Sequence, residues 1–391
     1  MWGVIRKVGA GALALCVAVA CGKEAQGGPE AQGSLVRRSF RLAAGPVSRS
    51  YVDGLSIMWD SDDDSMLYYD DGSGFRMAES TGTTLSQGGK FCEFDFELTV
   101  ARQSKTVQIC SVCPAAAVEG EQPESVTLTL PQNQMPGADS YDKAAAIILG
   151  QYKEGVSLQD GCQCGYSFRS ALSKITFGGI PQDEKIVSVE VNSPGARICG
   201  PASANLKSAV ISTDSDSTML RLGYEVPLEG RDCWMSSWAV ASGTELEISA
   251  YTADKVYKKT ITLNKGIESG MLNTMSVDMS GLGAANPLVG DFIIAAQGQD
   301  NAFYVYLPGG PLKTDAVLLS DLALRADAAS LVWEIRKAPF GYTLTKGGTV
   351  IEAYIEPFHK GYLVSYLTGG NLTIAPKDDG VIRFITPMTA E

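Results

Sequence analysis

A single histidine, His359, stands in a chain of 391 residues. A Ser-His-Asp or Cys-His hydrolase, or a zinc site with several histidines, would have to be built on it. It lies in Pro357-Phe-His-Lys-Gly361, a turn-like setting with no acid or nucleophile motif beside it. A surface or half-buried histidine is the better reading. No G-x-S-x-G elbow supplies a nucleophile either, so an enzyme is not expected. Three other groups could do chemistry. Asp60, Asp62, Asp64 and Asp71 fall at positions one, three, five and twelve of a calcium loop. However, Ser65 stands where that loop needs glycine, Asp71 replaces the usual glutamate, and Met66 to Tyr69 reads as a strand that would stretch the loop open. A solvated acidic turn is preferred, and no metal is expected. Cys110-x-x-Cys113 with Cys162-x-Cys164 could form a metal cluster or a redox pair. Yet Cys110 ends an apolar strand-like run and Pro114 follows Cys113 at once, whereas a redox pair normally opens a helix. Small buried strand residues or a local disulfide fit better. Last, Trp234 and Trp238 could stack on a glycan if exposed. In a β-protein such rings are more often core. No cofactor is implied.

Charge narrows the partners. Lysine plus arginine is 32 against 44 aspartate plus glutamate, a net of −12. Such a chain is a poor binder of nucleic acid through phosphates. With 45% apolar and 19% charged residues it is globular. Its length suggests two or three domains.

Residues 1–20 read as an export signal. Arg6 and Lys7 are basic, and the apolar stretch from Val8 to Ala20 is too short to span a bilayer comfortably. Small residues directly before Cys21 resemble a bacterial lipobox, in which Cys21 would begin the mature chain and carry the acyl groups. Residues 21–33, rich in Gly, Gln and Glu, would be the tether of a lipid-anchored body. Beyond Cys16 and Cys21 remain Cys92, Cys110, Cys113, Cys162, Cys164, Cys199 and Cys233, an odd set.

Strands must position everything else. Phe94, Phe96 and Leu98 alternate with acids. So do Val126, Leu128 and Leu130 with threonines, then Val187, Val189 and Val191, and Leu246 and Ile248 against glutamates. A period of two with one polar face predicts antiparallel sheets covered on one side. Many short strands with Gly, Pro and Asp turns predict an all-β fold of sandwiches. The best helix candidate, Asp139 to Tyr152 with Ser140 as N-cap, is as easily a turn followed by a buried strand. Expected parts are 34–165, 166–281 and, after a small-residue linker, a C-terminal β-domain at 288–391. Residues 34–44 read as a first strand with Val36, Phe40, Leu42 and Ala44 on one face. Arg38 spoils that face, which predicts an edge position.

Several motifs together carry a resemblance. They are the lipobox and tether before a first strand, Ser48-Arg49-Ser50, and Trp59 with its acidic turn and Ser65-Met-Leu-Tyr-Tyr69. Next come the strand Phe91 to Leu98 and Leu128-Thr-Leu-Pro131-Gln-Asn-Gln134, then Ser170 to Phe177 and Gly270 to Met279. In this order they resemble the fimbrillins, or type V pilins, and their fimbrillin-like lipoprotein relatives, over residues 10–281. The last hundred residues look like a small β-domain that follows fimbrillin-like domains in some surface proteins, with its usual aromatic ending replaced by VIRFITPMTAE.

The resemblance implies two tandem transthyretin-like β-sandwich domains. It also implies a surface-exposed outer-membrane lipoprotein that forms or caps fimbriae and acts in adhesion. In that family a trypsin-like protease cuts after a basic residue between the first strand and the body. Here Arg49 matches, with Arg38 and Arg41 as fallbacks. The first strand then departs, and a neighbouring subunit fills its groove by β-strand donation. Stalk subunits donate a free C-terminal strand. The extra domain at 288–391 therefore favours a tip or accessory role. Expected partners are other fimbrial subunits and a host protein or glycan receptor. The alternative is a non-polymerising surface lipoprotein that binds glycan or host protein.

Overall fold

Alternating side chains become strands wherever one face can be buried, and the chain does this repeatedly. The computed structural model describes residues 34–44, 59–213, 216–297, 303–305, 332–358, 361–366 and 382–385. Cys21, Arg49 and His359 lie outside them. The fold is all-β. Among the described residues the only helical elements are three-residue 3-10 turns. Residues 139–152 are such a turn, Lys143–Ala145, leading into a buried strand. Its cap is Asp142, whose carboxylate accepts from the Ala144 amide, and not Ser140.

The described strands form six sheets. The first holds β1 (Leu35–Ala44), β4 (Gly82–Ser86), β5 (Phe91–Ala101) and β11 (Cys162–Cys164), in the order β11-β1-β5-β4. The second holds β2 (Met66–Asp70), β3 (Arg76–Glu79), β6 (Thr106–Cys113), β10 (Ile148–Ser157) and β12 (Tyr166–Phe168), in the order β12-β10-β6-β2-β3. These two share a core that includes Leu42, Trp59, Phe94, Phe96, Leu98 and Tyr166. Trp59 meets Phe94 and Tyr166 edge to face, each with ring centres 5.5 Å apart.

The third sheet, ordered β16-β15-β8-β7, pairs β7 (Val118–Gln122) and β8 (Ser125–Leu130) with β15 (Gly200–Asn205) and β16 (Val210–Ser212). The fourth is ordered β22-β20-β19-β14-β17-β9. It contains β9 (Asn133–Gln134), β14 (Ile186–Asn192), β17 (Met219–Leu228), β19 (Glu245–Tyr251), β20 (Lys255–Thr262) and β22 (Gly283–Ala285). In the fifth, β13 (Ala171–Gly178) lies between β18 (Asp232–Ser237) and a parallel β21 (Leu272–Asp278). One apolar cluster joins Tyr68 and Leu149 to Phe177, Val189 and Leu246. The stretches 34–165 and 166–281 therefore share the second, third and fourth sheets and a core across residue 165.

The sixth sheet closes on itself. It contains β23 (Gly290–Gln297), β24 (Phe303–Val305), β25 (Val332–Ala338), β26 (Gly341–Lys346), β27 (Thr349–Phe358), β28 (Gly361–Tyr366) and β29 (Ile382–Ile385). β29 pairs with both β28 and β23, which makes a small barrel around Trp333, Ile335 and Leu344. The barrel rests on the fourth sheet. The Pro339-Phe340 turn lies over Gly223, where a Cβ would come within 2.7 Å of the proline ring. Lys337 is 8% exposed and sits between the rings of Tyr251 and Tyr342, at 4.6 and 5.0 Å. Arg221 stacks on Tyr354 at 4.6 Å, and the Asn133 amide donates to the Tyr354 hydroxyl at 2.7 Å.

Candidate functional site: the seat of the first strand

The strand β1 is held unequally on its two sides. Against β5 it forms a continuous antiparallel ladder from Leu35↔Ala101 to Ala44↔Cys92. Against β11 it pairs only at Leu42↔Cys162, Ala43↔Gln163 and Ala44↔Cys164, in parallel. Residues 35–41 thus present one row of backbone groups that no strand among the described residues takes up. Phe40, Leu42 and Ala44 are buried in the core between the first two sheets, and Val36 packs against it half-buried. Burying Phe40 and Leu42 contributes about 1.5–3 kcal/mol each. Arg38 does fall on the inward face. It sits half-buried near the strand's start and donates to the Arg102 carbonyl at 2.9 Å. The solvent side carries Arg41, which contacts Asp95 at 3.0 Å and Glu93 at 3.4 Å. These pairs are exposed and add little stability. An edge position was expected. The structure places β1 inside the sheet at its C-terminal end and at the edge for the rest.

The other predicted residues are scattered. Asp60 and Asp62 pair with Lys143. The bond to Lys143 holds the Asp60 carboxyl below its ordinary pKa. Asp64 accepts from the Ala115 amide at 2.8 Å. Asp71 lies beyond the far end of β2, buried, and accepts from the Ala101 amide at 2.6 Å. The strand between these acids spans ~17 Å, so the calcium reading fails: Asp60, Asp62, Asp64 and Asp71 do not converge. Instead the turn lines a hollow of about 470 Å³ with Trp59, Tyr141 and Lys143.

Cys110 and Cys113 do not pair. They are three residues apart on β6, so they face opposite sides, one in each of the two large cores. Burial pushes the Cys110 thiol up to about 12. The glycan reading of Trp234 and Trp238 is also corrected. Both are buried, at 5% and 2% exposure, and the Trp238 indole donates to the Gly200 carbonyl at 3.0 Å. Neither ring offers a face to a sugar.

Sequence reading named Gln134 only as the end of the Leu128 to Gln134 motif and gave it no role. It is fully buried, and its side chain acts as a short extra strand. Its amide donates to the Ser236 carbonyl at 2.7 Å, and its carbonyl accepts from the Ser236 amide at 2.9 Å. A polar residue after Leu-Pro, between apolar strands, was the available signal.

No family model matches the chain, and no curated protein does. Among solved structures it is similar to a candidate cell adhesion protein from Bacteroides uniformis, at 12% identity and a TM-score of 0.43, covering 64% of this chain and 95% of that one. It is also similar to a fimbrial assembly protein from Parabacteroides distasonis, at 12% identity and a TM-score of 0.35, covering 70% and 100%. A third is the tip fimbrial protein Mfa3 from Porphyromonas gingivalis with C-terminal truncation, at 10% identity and a TM-score of 0.30, covering 58% and 82%. These overlaps are loose, and no residue assignment follows from them.

Proposed function

We propose that the protein is a surface-anchored fimbrillin-like subunit that caps or decorates a fimbrium and receives a neighbour's strand in the seat of β1. The one-sided hold on β1 carries this reading. A strand paired along its length on one side, and at only three residues on the other, can leave with β5 and β4 still paired and only the three-residue β11 losing its ladder. Its departure opens an apolar trough floored by the core and walled by the unpaired backbone of β5, which an incoming extended segment satisfies. Cleavage after Arg49 frees the strand, and acylation of Cys21 holds the precursor at the outer membrane until then. The last described strand, β29, is used up in closing the barrel. The chain therefore accepts a strand and has none of these to give, which fits a tip or accessory subunit better than a repeating stalk. Adhesion to a host protein or glycan is the activity such a position serves.

Immunogold labelling tests the role. Label at fibre ends or on the cell surface is expected, and label along whole fibres contradicts it. An Arg49→Ala variant should remain on cells but fail to join fibres.

A further inference from the structure

Ala44, the last residue of β1, is in register with a cysteine on each side. Cys92 of β5 lies opposite it on one flank and Cys164 of β11 on the other. All three side chains are buried in the same core, because residues in register on neighbouring strands point to one face. β1 runs antiparallel to β5 and parallel to β11, so β11 runs antiparallel to β5. The two thiols thus sit at the same height with one strand between them. Two strand spacings separate their Cα atoms by ~10 Å, too far for a disulfide, which spans about 4.4–6.8 Å. The strand is a spacer between two sulfurs.

We propose that Cys92 and Cys164 form a redox latch on the groove of β1: when the strand leaves, β11 closes onto β5 and the two thiols join as a disulfide that shuts the groove to an incoming strand. Among the described residues β11 is laddered to β1 alone; its ties to β10 include the Lys153 ammonium on the Gln163 carbonyl and the Gln151 amide on the Gly165 carbonyl, so loss of β1 leaves it without a strand ladder and able to shift by one strand spacing about Gly165. Closing in the same register sets Cys164 directly opposite Cys92. Cα atoms in an antiparallel pair lie ~4.5–5.5 Å apart, within disulfide reach. While β1 is seated, burial pushes the Cys92 thiol up to about 12 and the Cys164 thiol up to about 11. Both are then neutral and inert, and water entering an empty groove makes them reactive. The oxidant is a low-molecular-weight disulfide. Its S–S bond breaks to give two thiols as the Cys92–Cys164 bond forms, with two protons and two electrons passing from protein to reagent. A seated strand, whether β1 or a partner's, keeps the sulfurs apart, so the latch acts only on an empty acceptor. The occasion for it rests on the strand-release reading above, whereas the register does not.

The test uses the full chain. β1 is released either by an arginine-specific protease or at a sequence-specific protease site inserted between Gly45 and Pro46, and its loss is read by mass. A maleimide should leave Cys92 and Cys164 unlabelled before release and label both after it. In a separate, unlabelled sample of the released protein, oxidised glutathione should join them, as mapped by peptide mass. The oxidised protein should bind a synthetic peptide of residues 34–44 about tenfold more weakly or worse, with binding restored by dithiothreitol and unaffected by oxidant in a Cys164→Ser variant. Thiols that stay unlabelled after verified loss of β1, or that label but never cross-link, overturn the latch. A strand that stays seated after both cuts overturns the latch and the release reading together. Failure of the arginine protease alone, with cross-linking after the inserted cut, removes the processing step and leaves the latch standing.

Discussion

At the scale of single residues, two buried polar side chains decide how the parts are joined. Lys337 donates to the carbonyls of Ala338 and Gly341 at 3.1 and 3.0 Å while its stem lies between Tyr251 and Tyr342. Burial lowers its pKa from 10.5 to about 8, with Glu190 opposing that shift and Arg221 adding to it. The sign follows from proton counts. Between pH 8 and 10.5 the unfolded chain holds the proton and the folded one does not, so stability rises with pH across that window. Below pH 8 the cost of burying the charge is fully present. Relative to a Lys337→Met variant, the native chain should gain about 1 kcal/mol between pH 7 and 9 in denaturant melts. The variant itself should be more stable at pH 7, by up to about 3 kcal/mol less what the two carbonyls lose. A flat difference across that range would remove the charged-lysine account. Gln134→Ala leaves the Ser236 amide and carbonyl buried without partners, which costs about 2–4 kcal/mol. A fall in melting temperature of only a degree would show that water replaces the side chain there.

At the scale of elements, the barrel is fitted to the fourth sheet through backbone contact at Gly223. A Cβ there would meet Pro339 and Phe340 at 2.7 and 2.8 Å, whereas one at Gly195 would meet nothing within 4 Å. Gly223→Val should therefore pry the barrel from the sheet and speed proteolysis between residues 280 and 290, at a cost of about 1–3 kcal/mol. Gly195→Ala should not. Equal digestion of the two variants would mean that the contact is loose. Much at this scale was legible beforehand. The alternations at Phe94-Phe96-Leu98, Val126-Leu128-Leu130 and Leu246-Ile248 are buried faces of β5, β8 and β19. Periodicity reports which face is covered but not by what. The pairing of β8 with β15, across residues whose sequence separation no local pattern spans, was therefore out of reach. So was the flanking of Ala44 by Cys92 and Cys164, since β11 is only three residues long. The calcium spacing misled for a related reason: β2 pulls Asp71 away from Asp60, and a spacing rule counts residues without knowing their conformation.

At the scale of the whole molecule, the proposed role makes the chain an acceptor with its own strand in place. The seat of β1 lies in the first sheet, the middle of the chain supplies the shared core, and the closed barrel uses up the last described strand. On the proposed reading, such an arrangement joins a fibre only by losing β1. The most direct measurement is the mass of the N-terminus of the chain isolated from fibres. A mature form beginning at Ser50, without residues 34–44, is predicted. Fibre-associated protein that still carries residues 34–44 would contradict the account.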